Sequence, residues 1–221
     1  CFSLLSLNSS DNIPLVLKNI HTMLKKGTSE DRQLKIVLKV LADVGLIGLP
    51  NVGKSSILAS ISMAKPKIAN YAFTTIHPNL GVVLISDYEK FVVADLPGLI
   101  VGASKGAGLG IQFLKHISRT KLLLHVIDVS KNQLDQIMKD VDIIAKELKD
   151  YDKELSQKDK WYVFNKVDLL NEENLEKLKI HVADKIKVKT YFTSALDKFG
   201  LDELCEDIIE YLRDEISNEK I

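Results

Sequence analysis

The residues most able to do chemistry lie in GLPNVGKS, positions 48–55. Gly48, four residues, then Gly53-Lys54-Ser55 is the spacing of a phosphate-binding loop. Its glycines let the backbone turn so that N–H groups surround phosphate oxygens, and the helix that follows adds the positive end of its dipole. Lys54 is suited to the outer phosphates, and Ser55 to Mg²⁺. Pro50, Asn51, Val52 and Ser56 complete the cradle. A second element, DLPG, brings a carboxylate at Asp95. An Asp at a strand end beside such a loop supports Mg²⁺, often through water, and the Gly98 amide can approach a terminal phosphate.

Two further motifs address a base. In NKVD, 165–168, Asn165 and Asp168 supply polar groups, and the Lys166 stem can lie along a ring face. A carboxylate at Asp168 accepts two hydrogen bonds from the N1–H and exocyclic amine of guanine. Adenine lacks that donor pair and would leave the carboxylate unpaired. Ser194-Ala195-Leu196 can offer a backbone N–H to the guanine O6. In FTTIHP, 73–78, Phe73, Thr74 and Thr75 fall in a loop, where a Thr hydroxyl can complete the Mg²⁺ shell and sense the γ-phosphate. Thr75 is favoured over Thr74. The expected metal ligands are Ser55, Thr75 and Asp95, and the expected catalytic groups are Lys54, Thr75 and Gly98.

Each motif needs a strand end to hold it. Apolar strand-like runs occur at 43–47, 80–85, 91–94, 122–127, 161–164 and 190–193. Helix-like segments follow the phosphate loop and occupy about 109–120, 132–149, 172–186 and 202–216. Only SDYEK separates 80–85 from 91–94, which permits a hairpin but no helical crossover. The pattern predicts an α/β fold with a mostly parallel six-stranded sheet, one antiparallel strand, and helices on both faces. Residues 150–160 read as a polar connection. The spacing divides the chain into an N-terminal segment (1–40), a nucleotide-binding domain (41–216) and a tail (217–221). Residues 1–33 show no clear period, and 35–40 alternate.

Composition narrows the class. The 221 residues are 46% hydrophobic and 27% charged, with 30 basic and 30 acidic side chains. That excludes a disordered, collagenous or disulfide-scaffold chain, and zero net charge gives no global argument for nucleic acid or membrane. The two cysteines, Cys1 and Cys205, form no CxxC pair, and no Cys/His set has zinc spacing. A reducing compartment follows. No apolar run reaches the 18 residues of a membrane span. Charge is uneven locally: Lys105, Lys115, Arg119 and Lys121 fall in an acid-free stretch between Asp95 and Asp128, whereas the chain from Asp202 onward is acidic. Both read as solvated surface, with an RNA-facing patch the alternative for the basic segment. His77, His116, His125 and Trp161 read as packing or surface residues. The start, with Cys1 in place of Met, reads as the cut edge of a longer protein.

LADVGLIGLPNVGKSS (41–56), YAFTTIHPNLGVV (71–83), DLPGLIVGASKGAGLGIQFLKHISRTKLLLHVIDVS (95–130), NKVD and SALD (194–197) together resemble the Obg family of GTPases. The likeness covers roughly 34–215, and the long run after Asp95 goes beyond general GTPase motifs. It implies a Ras-like G domain of the P-loop NTPase class that binds GTP and GDP and uses Mg²⁺. It also implies action with the large ribosomal subunit and its RNA in assembly or maturation, with guanine alarmones as possible ligands. The glycine-rich domain that precedes the G domain in the family is absent, so the chain resembles a truncated or split member, with residues 22–40 at most its closing edge. Two positions depart from the family pattern: Ala72 stands where Pro is usual, and Val101 where Glu is usual. Resemblance to cation-stimulated GTPases suggests K⁺ held by the Asn51 amide oxygen. A monomer in a bacterial cytoplasm is expected, with an organelle of bacterial origin as the alternative.

Leu99 follows Gly98, where small signalling GTPases place a water-orienting glutamine. An apolar side chain cannot orient water by hydrogen bonding. Hydrolysis is therefore expected to be slow, below about 10 s⁻¹, and driven mainly by charge stabilisation from Lys54, Mg²⁺ and loop amides. The alternative is a nucleotide-dependent binding module with vestigial hydrolysis that recruits ribosomal or stress-response partners.

Overall fold

The computed structural model describes residues 6–7, 37–38, 42–68, 79–95, 120–131, 133–151 and 153–218. A short parallel pair, β1 (Ser6–Leu7) and β2 (Val37–Leu38), stands apart from the main sheet. The main sheet comprises β3 (Val44–Ile47), β4 (Lys67–Ile68), β5 (Asn79–Ser86), β6 (Glu89–Asp95), β7 (Leu122–Asp128), β8 (Lys160–Asn165) and β9 (Thr190–Thr193). Its spatial order is β4-β5-β6-β3-β7-β8-β9. All six strands read from the sequence are present; the two-residue β4 is an added edge. β5 runs against both neighbours, and the other pairings are parallel. Asp87 and Tyr88 make the hairpin turn where the sequence leaves no room for a crossover.

The chain passes from β3 to the β4–β6 half of the sheet, and from β6 it crosses beyond β3 to the β7–β9 half. That is a topological switch point, and it opens a crevice at the carboxyl ends of the strands. β3, β7 and β8 are buried on both sides, which accounts for their unbroken apolar runs.

Helices cover both faces. On one face, Val44, Leu46, Leu122, Leu124, Val126 and Val163 meet Ile57 and Leu58 of α1 (Lys54–Ile61). They also meet Leu201, Leu204, Ile208 and Leu212 of α5 (Leu201–Asn218), which recur every three or four residues as a buried stripe requires. Trp161 belongs to this core, as read. On the other face, Ile137, Val141, Ile144 and Leu148 of α2 (Leu134–Tyr151) cover the sheet. Leu178 and Val182 of α4 (Glu172–Lys185) join them. Each such fully buried aliphatic contributes about 1.5–3 kcal/mol. The side chain of Asn171 accepts from the Asn174 N–H at 2.9 Å and caps α4.

The polar connection expected at 150–160 instead carries a short helix, α3 (Lys153–Gln157). The segment KELSQ holds good helix formers and no Gly or Pro, so polarity there does not break the helix. Among the described residues, no helix is long and apolar enough to cross a membrane.

His125 is among the ionisable residues buried in the fold. His125 on β7 is 1% exposed, with its ring 5.3 Å from that of Tyr162. Its Nδ1 has no hydrogen-bond partner among the described residues. Burial, then the positive charges of Lys160 and Lys54, push its pKa down to about 3. The folded protein therefore excludes a proton that the unfolded chain binds below about pH 6.5. Stability from this group is present above that pH and is lost as pH falls toward 3. Asp128 and Asp207 are held below the usual carboxylate range, so their stabilisation is fully present at pH 5 and above and is lost only at lower pH. Urea unfolding at pH 7 and pH 5 is expected to show lower stability at pH 5. His125→Phe is expected to flatten that slope; an unchanged slope would contradict the assignment.

Candidate nucleotide site

The loop 48–53 runs from the end of β3 to the start of α1, at the switch point. Gly48 has φ +147°, and a Cβ there would lie 2.4 Å from the Val126 carbonyl oxygen of β7. Gly53 has φ +98°, and a Cβ there would lie 2.3 Å from Asn165 Nδ2 of β8. Both glycines are therefore demanded by neighbouring strands as well as by backbone conformation. Between them Val52 is buried in the core and anchors the loop, while Pro50 and Asn51 form its exposed crest. Asn51 is left-handed, with φ 64°.

Lys54 begins α1 and curls back over its own loop. Its Nζ donates to the carbonyl oxygens of Gly48 at 3.0 Å and Leu49 at 2.9 Å. Burial lowers its pKa, and Asp95 opposes part of that shift. An ammonium held, among the described residues, by two carbonyls gains charge-assisted bonds when anionic oxygens arrive. The first-turn amides of α1 have no acceptor within the helix. Ser56 is exposed on that turn.

Ser55 Oγ donates to Asp95 Oδ2. Asp95 ends β6 and is buried, so β6 and α1 bring two of the three expected metal ligands into direct contact. A hydroxyl and a carboxylate are hard oxygen donors of the kind Mg²⁺ takes, and the pair fits that ion with waters and phosphate completing the shell. Thr75, Thr74, Phe73 and Gly98 lie outside the described residues, as do Leu99, Val101 and Ala72. His77, His116 and the basic residues Lys105, Lys115 and Arg119 lie outside them too.

The base side is built from β8 and β9. Asn165 is 1% exposed and holds three protein groups. Its Nδ2 donates to the Val52 carbonyl oxygen at 3.0 Å. Its Oδ1 accepts from Ala195 N–H at 3.1 Å and Thr193 Oγ1 at 3.3 Å. Its side chain is thus a brace between the phosphate loop and the β9 turn, more than the base reader its motif suggests. Lys166 is left-handed (φ 73°) and starts the 3₁₀ turn Val167–Leu169, which puts Asp168 at the surface.

Ser194 is buried, and its Oγ accepts from the Asp197 N–H at 3.1 Å. Its own N–H donates to the Phe199 carbonyl oxygen. The Ser194 and Ala195 amides are thus engaged within the protein, and Leu196 beside them is 82% exposed.

Sequence reasoning missed Asp128. Its Oδ2 accepts from Lys166 Nζ at 2.5 Å, and its Oδ1 accepts from the Ser130 N–H at 2.8 Å. Burial alone would raise its carboxyl, but the hydrogen bonds from Lys166 and Ser130 outweigh it and hold the pKa below the usual range. The available signal was an Asp ending a strand of mostly apolar residues beside the phosphate loop.

Residues 43–166 match the family model described as 50S ribosome-binding GTPase, more than half of the chain. The chain belongs to that family. Its fold is that of solved G domains. The G domain of the T. maritima FeoB iron transporter aligns with a TM-score of 0.55 at 22% identity, covering 76% of this chain and 97% of that one. The putative nucleolar GTP-binding protein 1 of Plasmodium falciparum aligns with a TM-score of 0.57 at 22% identity, covering 80% of this chain and 88% of that one. Aquifex aeolicus Era bound to GDP·AlF4⁻ aligns at 0.56 and 26% identity, covering 77% of this chain and 56% of Era. The chain is a GTP-binding G domain.

Asn165→Ala in this G domain leaves the Val52 carbonyl and the Ala195 amide without their partner. The nucleotide-free protein is expected to lose about 2–3 kcal/mol of stability, read by urea unfolding. A loss below about 0.5 kcal/mol, the range of ordinary surface changes, would contradict the bracing role.

Proposed function

We propose that this G domain is an Obg-type switch that hydrolyses GTP slowly and acts with the large ribosomal subunit and its RNA in assembly or maturation. The observation that carries the reading is membership of the 50S ribosome-binding GTPase family, joined to the Obg-like run 95–130 that exceeds general GTPase motifs.

In this reading the Asp168 carboxylate selects guanine by accepting from the base's N1–H and exocyclic amine. Lys166 flanks the base, and the Leu196 amide meets O6. Lys54 leaves the Gly48 and Leu49 carbonyls for the outer phosphates. Amides of the loop and of Ser55 and Ser56 hold the remaining phosphate oxygens. Ser55 and Asp95, with Thr75, would hold Mg²⁺, which neutralises charge developing on the phosphoryl group. The exposed crest at Asn51 is where K⁺ would sit, so turnover is read in KCl and NaCl at equal ionic strength. Thr75 and Gly98 sense the γ-phosphate and relay nucleotide state to the partner surface. Guanine alarmones carry the same base and extra phosphates, and they would enter through the same base contacts.

The test is co-sedimentation with purified large subunits in GDP and in a non-hydrolysable GTP analogue, with turnover measured alongside. Analogue-dependent pelleting and many-fold stimulated hydrolysis are expected. Pelleting without stimulation would favour the binding-module alternative. No pelleting in either nucleotide, with guanine nucleotide still bound, would contradict ribosomal recognition by this chain.

A further inference from the structure

The Asp128–Lys166 pair does more than neutralise charge. Asp128 ends β7 in register with Asn165 of β8. Its two oxygens are used separately: Oδ1 is fixed by the Ser130 amide, which aims Oδ2 at Lys166. The Lys166 ammonium also donates to the Asn51 carbonyl oxygen at 2.9 Å, on the phosphate-loop crest. One ammonium therefore spans the end of β7 and the loop. Lys166 and Asn51 are both left-handed, so backbone geometry presents each group to the other. The pair is partly shielded, with 30% of the Lys166 and 23% of the Asp128 side chain exposed. A lysine stem free in water samples many rotamers, and fixing it has an entropic cost.

We infer that Asp128 is a positioning residue for nucleotide retention: it fixes Lys166 against the phosphate loop, so that the base half and the phosphate half of the site open together. The inference rests on the guanine-nucleotide reading of this site. Asp128 does not touch the ligand and does not choose the base; Asp168 does that. Losing Asp128 therefore accelerates release of GDP and GTP alike and leaves base preference unchanged.

The experiment measures release of fluorescent GDP and GTP analogues from wild type and four variants: Asp128→Asn, Asp128→Ser, Lys166→Met, and Lys166→Met combined with the Asp128 change. Asn presents a donor where Lys166 needs an acceptor, while Ser can still accept from the Ser130 amide without carrying charge. Whichever Asp128 variant keeps cooperative unfolding is read. Release is expected to rise about tenfold, the scale of a lost charge-assisted bond, with GDP-over-ADP preference retained. In the Lys166→Met background the Asp128 change is expected to add nothing, because its effect runs through that ammonium. A general loosening of the fold would add in both backgrounds. Release within twofold of wild type, or additive effects, would overturn the inference. Failure of the wild type to bind guanine nucleotide would instead overturn the reading beneath it.

Discussion

The site depends on one buried side-chain amide. Asn165 lies at the end of β8 and joins the phosphate loop, through Val52, to the β9 turn, through Ala195 and Thr193. A buried amide that keeps its partners contributes modestly, but one that loses them leaves several polar groups dry. The same residue fills the space that a side chain at position 53 would need, so the loop glycine and the base motif constrain each other. The strand order makes this possible: β3 and β8 are separated only by β7, and Val126 of β7 closes against Gly48.

Charge in the site is held by internal substitutes. Lys54 rests on carbonyls of its own loop, Lys166 on Asp128, and Ser55 on Asp95. The Lys54 and Ser55 arrangements are the protein's own versions of contacts that phosphate or metal would make, whereas the Lys166–Asp128 pair joins two parts of the site to each other. The groups are thus aimed before a nucleotide arrives, which reduces the ordering cost of binding. Beneath them His125 is kept neutral by burial and by two lysines. A protonated ring there would set a third positive charge near Lys54 and Lys160.

Much of this was legible in the residues. The phosphate loop, the six strands, the hairpin and the two-sided helical cover follow from spacing and apolar period, because β3, β7 and β8 are buried on both faces and their motifs sit at strand ends. The α3 helix was not legible, since polarity at 150–160 masks good helix propensity. Nor was the division of labour in the base motif. That Asn165 braces, that Asp128 receives Lys166, and that the Ala195 amide is already engaged all depend on which strands become neighbours. Sequence order does not show those pairings. Thr75 and Gly98 lie outside the described residues, so their roles rest on motif and resemblance.

The central claim is that the carboxylate of Asp168 makes this a guanine site. Its most direct test is equilibrium binding of GDP, ADP and XDP to wild type and to Asp168→Asn. The account predicts GDP preferred over ADP by about 10⁴-fold or more in the wild type, the range for a site whose polar groups need the correct base. In the variant the preference is predicted to move toward XDP, because an amide can donate to the 2-oxo group and still accept from N1–H. Equal affinity for GDP and ADP, or an unchanged guanine preference in the variant, would contradict it.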